Sequence, residues 1–178
     1  MLKRKKCGLL LVDVQGDLAS MVHNSEQLIN RIQVLVQCCE ILELPIIWLE
    51  QYPQGLGKTV PSISRYLSGA PLEKVHFNAL SETHIKDAIL QSRCEQWLVA
   101  GIEAHICVYQ SVLGLLEQQM HVEVVSDCVS SRTAANVDLA LTKMQHYGAK
   151  LTSVEMAVYE LMEQAKTATF KDILPIIK

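Results

Sequence analysis

Short apolar runs alternate with amphipathic stretches along the 178 residues, and this predicts one α/β domain: a doubly wound parallel sheet with helices on both faces. Three observations carry the prediction. Residues 7–13, 46–50 and 96–101 are almost continuously apolar, the pattern of strands buried on both sides. The stretches between such runs repeat apolar residues at helical spacing. No repeat, low-complexity tract or linker divides the chain, so residues 1–178 are read as one domain.

Each element follows from its residues. The first strand, 7–13, ends in the carboxylate of Asp13. Over residues 25–44, Leu28, Ile29, Ile32, Leu35, Val36, Cys39 and Leu42 fall at helical spacing, with Ser25 the expected N-cap. Pro45 stops that helix, and 46–50 is the second strand. Residues 51–71 hold three of the five prolines together with Gly55, Gly57 and Gly69. They read as a long loop with one helical turn near 62–67, and long loops in compact domains are usually functional or mobile. Residues 74–77 read as a short strand, and Ser81 as the cap of a helix to residue 92. Strand 96–101 leads into a helix over 105–119. Residues 122–126 form a strand, 127–132 a loop, and 133–147 an amphipathic helix stopped by Gly148. The last strand is 149–152, followed by helices over 154–166 and 170–177.

Composition excludes several functions. Hydrophobic residues at 49% and charged residues at 20% are ordinary for a globular core. The net charge is −3 and no basic face is evident, which argues against a nucleic-acid partner. No segment is long and apolar enough for a membrane. Lys3-Arg-Lys-Lys6 before an apolar run superficially matches a signal peptide. The run is short, Asp13 interrupts it and no small-residue cleavage site follows. The six cysteines include the adjacent Cys38 and Cys39 but no C-x-x-C. They read as reduced thiols of a cytoplasmic protein rather than a disulfide framework.

Cys107 is the residue that points to chemistry. It lies where the apolar run 96–101 gives way to an amphipathic stretch, at a strand-to-helix turn. There a thiol faces free backbone N–H groups and the positive end of a helix dipole, which favour thiolate. Ligands of open α/β sheets also bind beyond the carboxyl ends of the strands. Taken alone, Cys107 fits a small buried hydrophobe equally well. Asp13 fits a strand-end cap, and Lys74 fits a solvated strand-edge lysine. The other cysteines, Cys7, Cys38, Cys39, Cys94 and Cys128, read as structural. His23, His76, His84, His105, His121 and His146 lack metal-ligand spacing. Gly55-Leu-Gly-Lys-Thr59 is no phosphate-binding loop, because the first glycine would fall at Tyr52 and Pro61 interrupts the helix that should follow.

Three segments together resemble the isochorismatase-like cysteine hydrolases: Leu11-Val-Asp13-Val-Gln15, Lys74 before a short apolar segment, and Gly101-Ile-Glu-Ala-His-Ile-Cys107-Val. Ser126-Asp-Cys-Val-Ser-Ser-Arg132, Ala140-Leu-Thr-Lys-Met144 and Gly148-Ala149 extend the resemblance, which spans residues 7–155. Glu50-Gln-Tyr-Pro-Gln-Gly-Leu-Gly57 is most similar to the metal-free branch with few assigned substrates. The resemblance implies a six-stranded parallel sheet in the order 3-2-1-4-5-6. It implies a triad of Asp13, Lys74 and Cys107, and a cis peptide between Ile102 and Glu103. It also implies an oxyanion hole formed by the backbone N–H groups of Glu103 and Cys107.

Two departures refine it. Nicotinamidases of the family carry Asp-x-His and a further histidine after the second strand, whereas this chain has Glu50-Gln51-Tyr52-Pro53. A metal site is therefore not expected, and no cofactor is implied. Isochorismatases proper lack the nucleophilic cysteine, so Cys107 points to amide or related C–N hydrolysis through a thioester. The expected activation is by the helix terminus, by Lys74 as a nearby cation that also holds Asp13 ionised, and by Asp13 as proton acceptor. Gln15, Leu18, Tyr52, Phe77, Ile106 and Tyr109 are the expected pocket for a small-molecule substrate, with a homo-oligomer as the expected assembly. A non-catalytic binding module and a redox-sensing thiol protein are the alternatives.

Overall fold

The computed structural model describes residues 1–178. Six parallel strands form one sheet: β1 (Cys7–Val12), β2 (Ile46–Gln51), β3 (Leu72–Lys74), β4 (Gln96–Ile102), β5 (His121–Ser130) and β6 (Lys150–Thr152), ordered β3-β2-β1-β4-β5-β6. The order reverses between β1 and β4, and those two strands carry Asp13 and Cys107 just past their ends.

Side chains alternate across the central strands and fill two cores. Leu9, Leu11, Leu98 and Ala100 face one layer, with Leu28, Ile32 and Leu35 of α2 (Ser25–Ile41), Val158 of α8 (Val154–Met162) and Ile173 of α9 (Ala168–Ile177). Leu10, Val12, Trp97 and Val99 face the other, with Ile85 and Ile89 of α5 (Thr83–Gln91), Val112 and Leu115 of α6 (Tyr109–Glu117), and Met144 of α7 (Ala134–His146). No helix is long and apolar enough to cross a membrane.

The boundaries differ from the sequence expectation in physically informative places. Ser25 is the first residue of α2 rather than its cap; Asn24 precedes it at φ 51° without a capping side-chain bond. A short helix, α1 (Leu18–Met21), precedes it and was not expected. The expected long loop is an ordered strap containing α3 (Pro53–Leu56) and α4 (Pro61–Ser64), each with proline in its first turn. β3 ends at Lys74, where a strand was expected to begin. Ser81 closes a 3₁₀ turn, and Glu82 precedes α5. β5 runs on to Ser130 through the expected loop, since Gly101 and Ile102 of β4 pair with Val129 and Ser130 after an irregularity. α8 stops at Met162, before Glu163 at φ 62°.

Candidate active site

Three strand ends deliver the charged part of the site. Asp13 follows β1 in the left-handed region at φ 51°, which aspartate tolerates better than most residues. The strand after it cannot continue, and the chain turns under the strap. Gln51 closes β2 and pairs in register with Lys74, the last residue of β3. The Lys74 ammonium is wholly buried. It donates to Asp13 Oδ2 at 2.7 Å, Gln51 Oε1 at 2.5 Å and the His76 carbonyl at 3.3 Å. An ammonium has three protons, so its donor capacity is spent. Asp13 Oδ1 is buried and has no hydrogen-bond partner.

The strap fixes the other wall. Gln15 Nε2 donates to the Gln51 and Gly57 carbonyls, and Gln15 Oε1 accepts from the Gln51 N–H at 2.7 Å. Glu50, itself buried, accepts from the Thr59 N–H and hydroxyl. At Gly16, which has φ 51°, a Cβ would lie 1.9 Å from the Leu56 carbonyl oxygen, so only glycine lets the two segments approach this closely. Glu82 accepts from the N–H groups of Val75 and His76 and contacts His76 Nδ1. These bonds hold its carboxyl down to about 2 and secure the loop that presents Phe77.

Cys107 arrives from the opposite side. After β4 the chain passes a cis Ile102–Glu103 peptide and enters a π-helical turn, Ala104–Val108, that runs into α6. Cys107 therefore sits two residues before α6 proper, in the type of helical irregularity often found at functional sites. Its Sγ lies 4.0 Å from Gln51 Oε1. Burial, followed by the Asp13 charge, pushes the thiol up to about 12, against the pull of Lys74. Burial also raises the Asp13 carboxyl, opposed by the charge and the hydrogen bond of Lys74. The expectation that the helix end and Lys74 favour thiolate is thus corrected. Desolvation outweighs the lysine and the helix end, and the thiol holds its proton at neutral pH. The same desolvation opposes the expected effect of Lys74 on Asp13.

A cavity of about 150 Å³ opens between these flanks. Asp13, Gln15, Gln51, Glu103 and Cys107 form its polar side; Leu18, Leu56, Phe77, Ile102 and Ile106 form its apolar side. Of the six expected pocket residues, Gln15, Leu18, Phe77 and Ile106 line it. Tyr52 does not: it is 54% exposed and turns toward a separate groove beside Pro53, Glu73 and Lys74. Tyr109 does not either. It packs edge-on against Tyr147 and under Lys143, because the π-helical turn rotates α6 relative to Cys107. Gln51, Leu56, Ile102 and the Glu103 side chain were not anticipated as wall residues. Gln51 was within reach of sequence reasoning, because it follows the second apolar run as Asp13 follows the first. The Glu103 carboxylate is held by Arg132, whose Nε donates at 2.9 Å. No cluster of three His, Cys, Asp or Glu side chains is placed to hold a metal ion. All six cysteines are free and buried.

Similarity to known proteins agrees with this architecture. The secreted isochorismatase effector Isc1 of Phytophthora sojae is 35% identical over 177 residues, covering 96% of this chain and 83% of its own length. The structure of MAR1 ribonuclease from Caenorhabditis elegans superposes with a TM-score of 0.92 at 31% identity, over 99% of this chain and 91% of that one. YcaC from Pseudomonas aeruginosa, solved with hexane-2,5-diol and covalent acrylamide, superposes with a TM-score of 0.92 at 25% identity, over 98% and 90% of the two chains. The isochorismatase domain model matches residues 7–156, a span running from β1 into α8 that takes in both strand ends and the turn bearing Cys107, and the chain belongs to that family.

Proposed function

We propose that this chain is a cysteine-dependent hydrolase of a small amide or related C–N bond, with Asp13, Lys74 and Cys107 as its catalytic residues. One observation carries the reading. Asp13 has one oxygen tied to a fully committed lysine and the other buried without a partner, in a site where its carboxyl and the Cys107 thiol act on each other. An unpartnered buried carboxylate oxygen is costly as structure and useful as a proton acceptor.

The reaction follows from that arrangement. Asp13 Oδ1 takes the thiol proton as Sγ attacks the acyl carbon. Because the charge moves between two buried groups beside the same ammonium, the desolvation that raises both largely cancels. The Lys74 ammonium stabilises whichever of the two carries the charge. The carbonyl oxygen accepts from the backbone N–H groups of Glu103 and Cys107. The C–N bond breaks as Asp13 returns its proton to the leaving nitrogen, which departs as ammonia or an amine. Water, deprotonated by Asp13, then cleaves the thioester, and the acid leaves with the thiol restored.

The Caenorhabditis elegans neighbour bears the name of a ribonuclease. A 150 Å³ cavity with no cationic wall residue, in a chain of net charge −3, speaks for a small molecule rather than a polyanion. Six free thiols suit a reducing compartment, and we place the protein in the cytoplasm. The exposed Met156 and Tyr159 of α8 suit contact with a second copy of the chain. The test is an ammonia-release screen over small amides beside Cys107→Ala, with intact-mass detection of a thioester. Full turnover in Cys107→Ala would overturn the reading.

A further inference from the structure

The geometry points to an uncharged, short-chain carboxamide with an apolar acyl group as the ligand class of this cavity, to the exclusion of carboxylate-bearing substrates. This rests on the reading of Cys107 as the acyl acceptor and goes beyond it by assigning charge, size and polarity to the acyl group.

Charge is decided first. None of the cavity-lining residues is a lysine, arginine or histidine. The ammonium beneath the floor, Lys74, is fully buried and directs its three N–H donors to Asp13, Gln51 and the His76 carbonyl. Arg132 lies outside the lining and commits its Nε to Glu103. His76 is exposed, held by Glu82. A carboxylate entering here would lose its hydration, meet no free cation, and face the carboxylates of Asp13 and Glu103. Burying an unpaired charge is among the costliest events in a protein interior. A neutral amide avoids that cost.

Size and polarity follow. The volume of about 150 Å³ is half the ~300 Å³ at which drug-sized pockets begin. A space of that size suits a short acyl group rather than a drug-sized one. Leu18, Leu56, Phe77 and Ile106 offer that group hydrocarbon. The one uncommitted buried side-chain oxygen is Asp13 Oδ1, an acceptor suited to a thiol or an amide N–H.

Iodoacetamide and iodoacetate test this, because they are nearly the same size and differ in charge. Each forms an S–C bond at a thiolate and releases iodide. The full-length protein is treated with each, labelling at Cys107 is followed by peptide mass spectrometry with Cys107→Ala as the site control, and the two rates are compared with those of a small free thiol. The expected result is an iodoacetamide preference at Cys107 at least tenfold greater than that of the free thiol. In Leu56→Lys, which puts a cation at the cavity rim, the preference should shrink severalfold. A preference below tenfold, a faster reaction with iodoacetate, or a preference unmoved by Leu56→Lys would each overturn the inference. Turnover is read separately: selective labelling without hydrolysis of butyramide or isobutyramide sinks the hydrolase proposal alone, and unselective labelling sinks this inference alone. If neither reagent labels Cys107, both fall.

Discussion

The two flanks of the cavity are built on different plans. The charged flank comes from three strand ends far apart in sequence: Asp13 and Lys74 are separated by 61 residues and meet at 2.7 Å. Apart from Asp13 Oδ1, its polar atoms are tied into a network that runs through Gln51 and Gln15 into the strap. The flank that carries Cys107 is local. Glu103, Ile106 and Cys107 come from one turn after β4, and their partners on the cavity surface are mostly hydrocarbon. The first flank therefore depends on the whole sheet being in register, whereas the second depends on one backbone irregularity. Damage to the first should cost stability and activity together, and damage to the second should cost chemistry alone.

The largest expected effect is on the Cys107 flank. Cys107→Ala should abolish covalent chemistry, read as loss of thioester by intact mass, while thermal unfolding changes little. Here the substitution removes one sulfur beside a cavity. Unfolding at much lower temperature would show that Cys107 is chiefly packing.

Breaking the charged flank should look different. Asp13→Asn leaves the buried Lys74 ammonium without its counter-ion, and losing one partner of a buried pair typically costs about 3–5 kcal/mol. Turnover should fall about 10²–10⁴-fold with the proton acceptor gone. Adding Lys74→Met should recover most of the stability and none of the activity. Chemical denaturation of the two single variants and the double variant gives the coupling; additive losses would mean the pair is not a unit.

The strap comes next. Gly16→Ala sets a Cβ against the Leu56 carbonyl and requires φ 51° of a residue that resists it, so the strap should lift from Asp13. We expect a loss of about 1–3 kcal/mol, faster proteolysis between Tyr52 and Pro61, and weaker substrate binding. Unchanged proteolysis would show the strap to be held elsewhere.

The smallest effects are those of pH. With the thiol pushed up to about 12, Cys107 alkylation should climb about tenfold per pH unit from 6 to 9, while a free thiol levels off near its own value of about 8.5. Lys74→Met removes the charge that pulls the thiol down and should slow alkylation further. Burial raises Cys7 and Cys107 to about 12 and Cys38 to about 11, from 9.0. The folded state therefore keeps protons that the unfolded chain loses above pH 9. Stability from these thiols is complete below pH 9 and declines as pH rises toward 12. An unfolding midpoint constant from pH 8 to 10.5 would contradict this.

Much of this was legible in the residues, and the exceptions share a cause. The continuous apolar runs located β1, β2 and β4 because a strand buried on both faces has no polar alternative. The same rule pointed past their ends to Asp13 and Cys107. β3 and the second half of β5 escaped, because Leu72–Lys74 is too short to show a period and Ser126–Asp127 looks like a turn until a neighbouring strand pairs beside it. Tyr52 and Tyr109 were placed by proximity in sequence. The left-handed backbone at Tyr52 and the π-helical turn before Tyr109 turned both away from the cavity.

The sequence by itself determined the alternation of elements and the sheet class, because those depend on local period and on where apolar runs end; the grouping of Lys74 with Asp13 and Cys107 came from the family resemblance. Tertiary structure alone decided the direction of the Asp13 and Cys107 pKa shifts and the geometry of all three. Burial, a property of the assembled layers, raises Asp13 and Cys107 despite the lysine beside them. Likewise the strap became a wall rather than a mobile loop, through hydrogen bonds that Gln15 donates to residues up to 42 positions away and that Glu50 accepts from Thr59, none of which a local pattern announces.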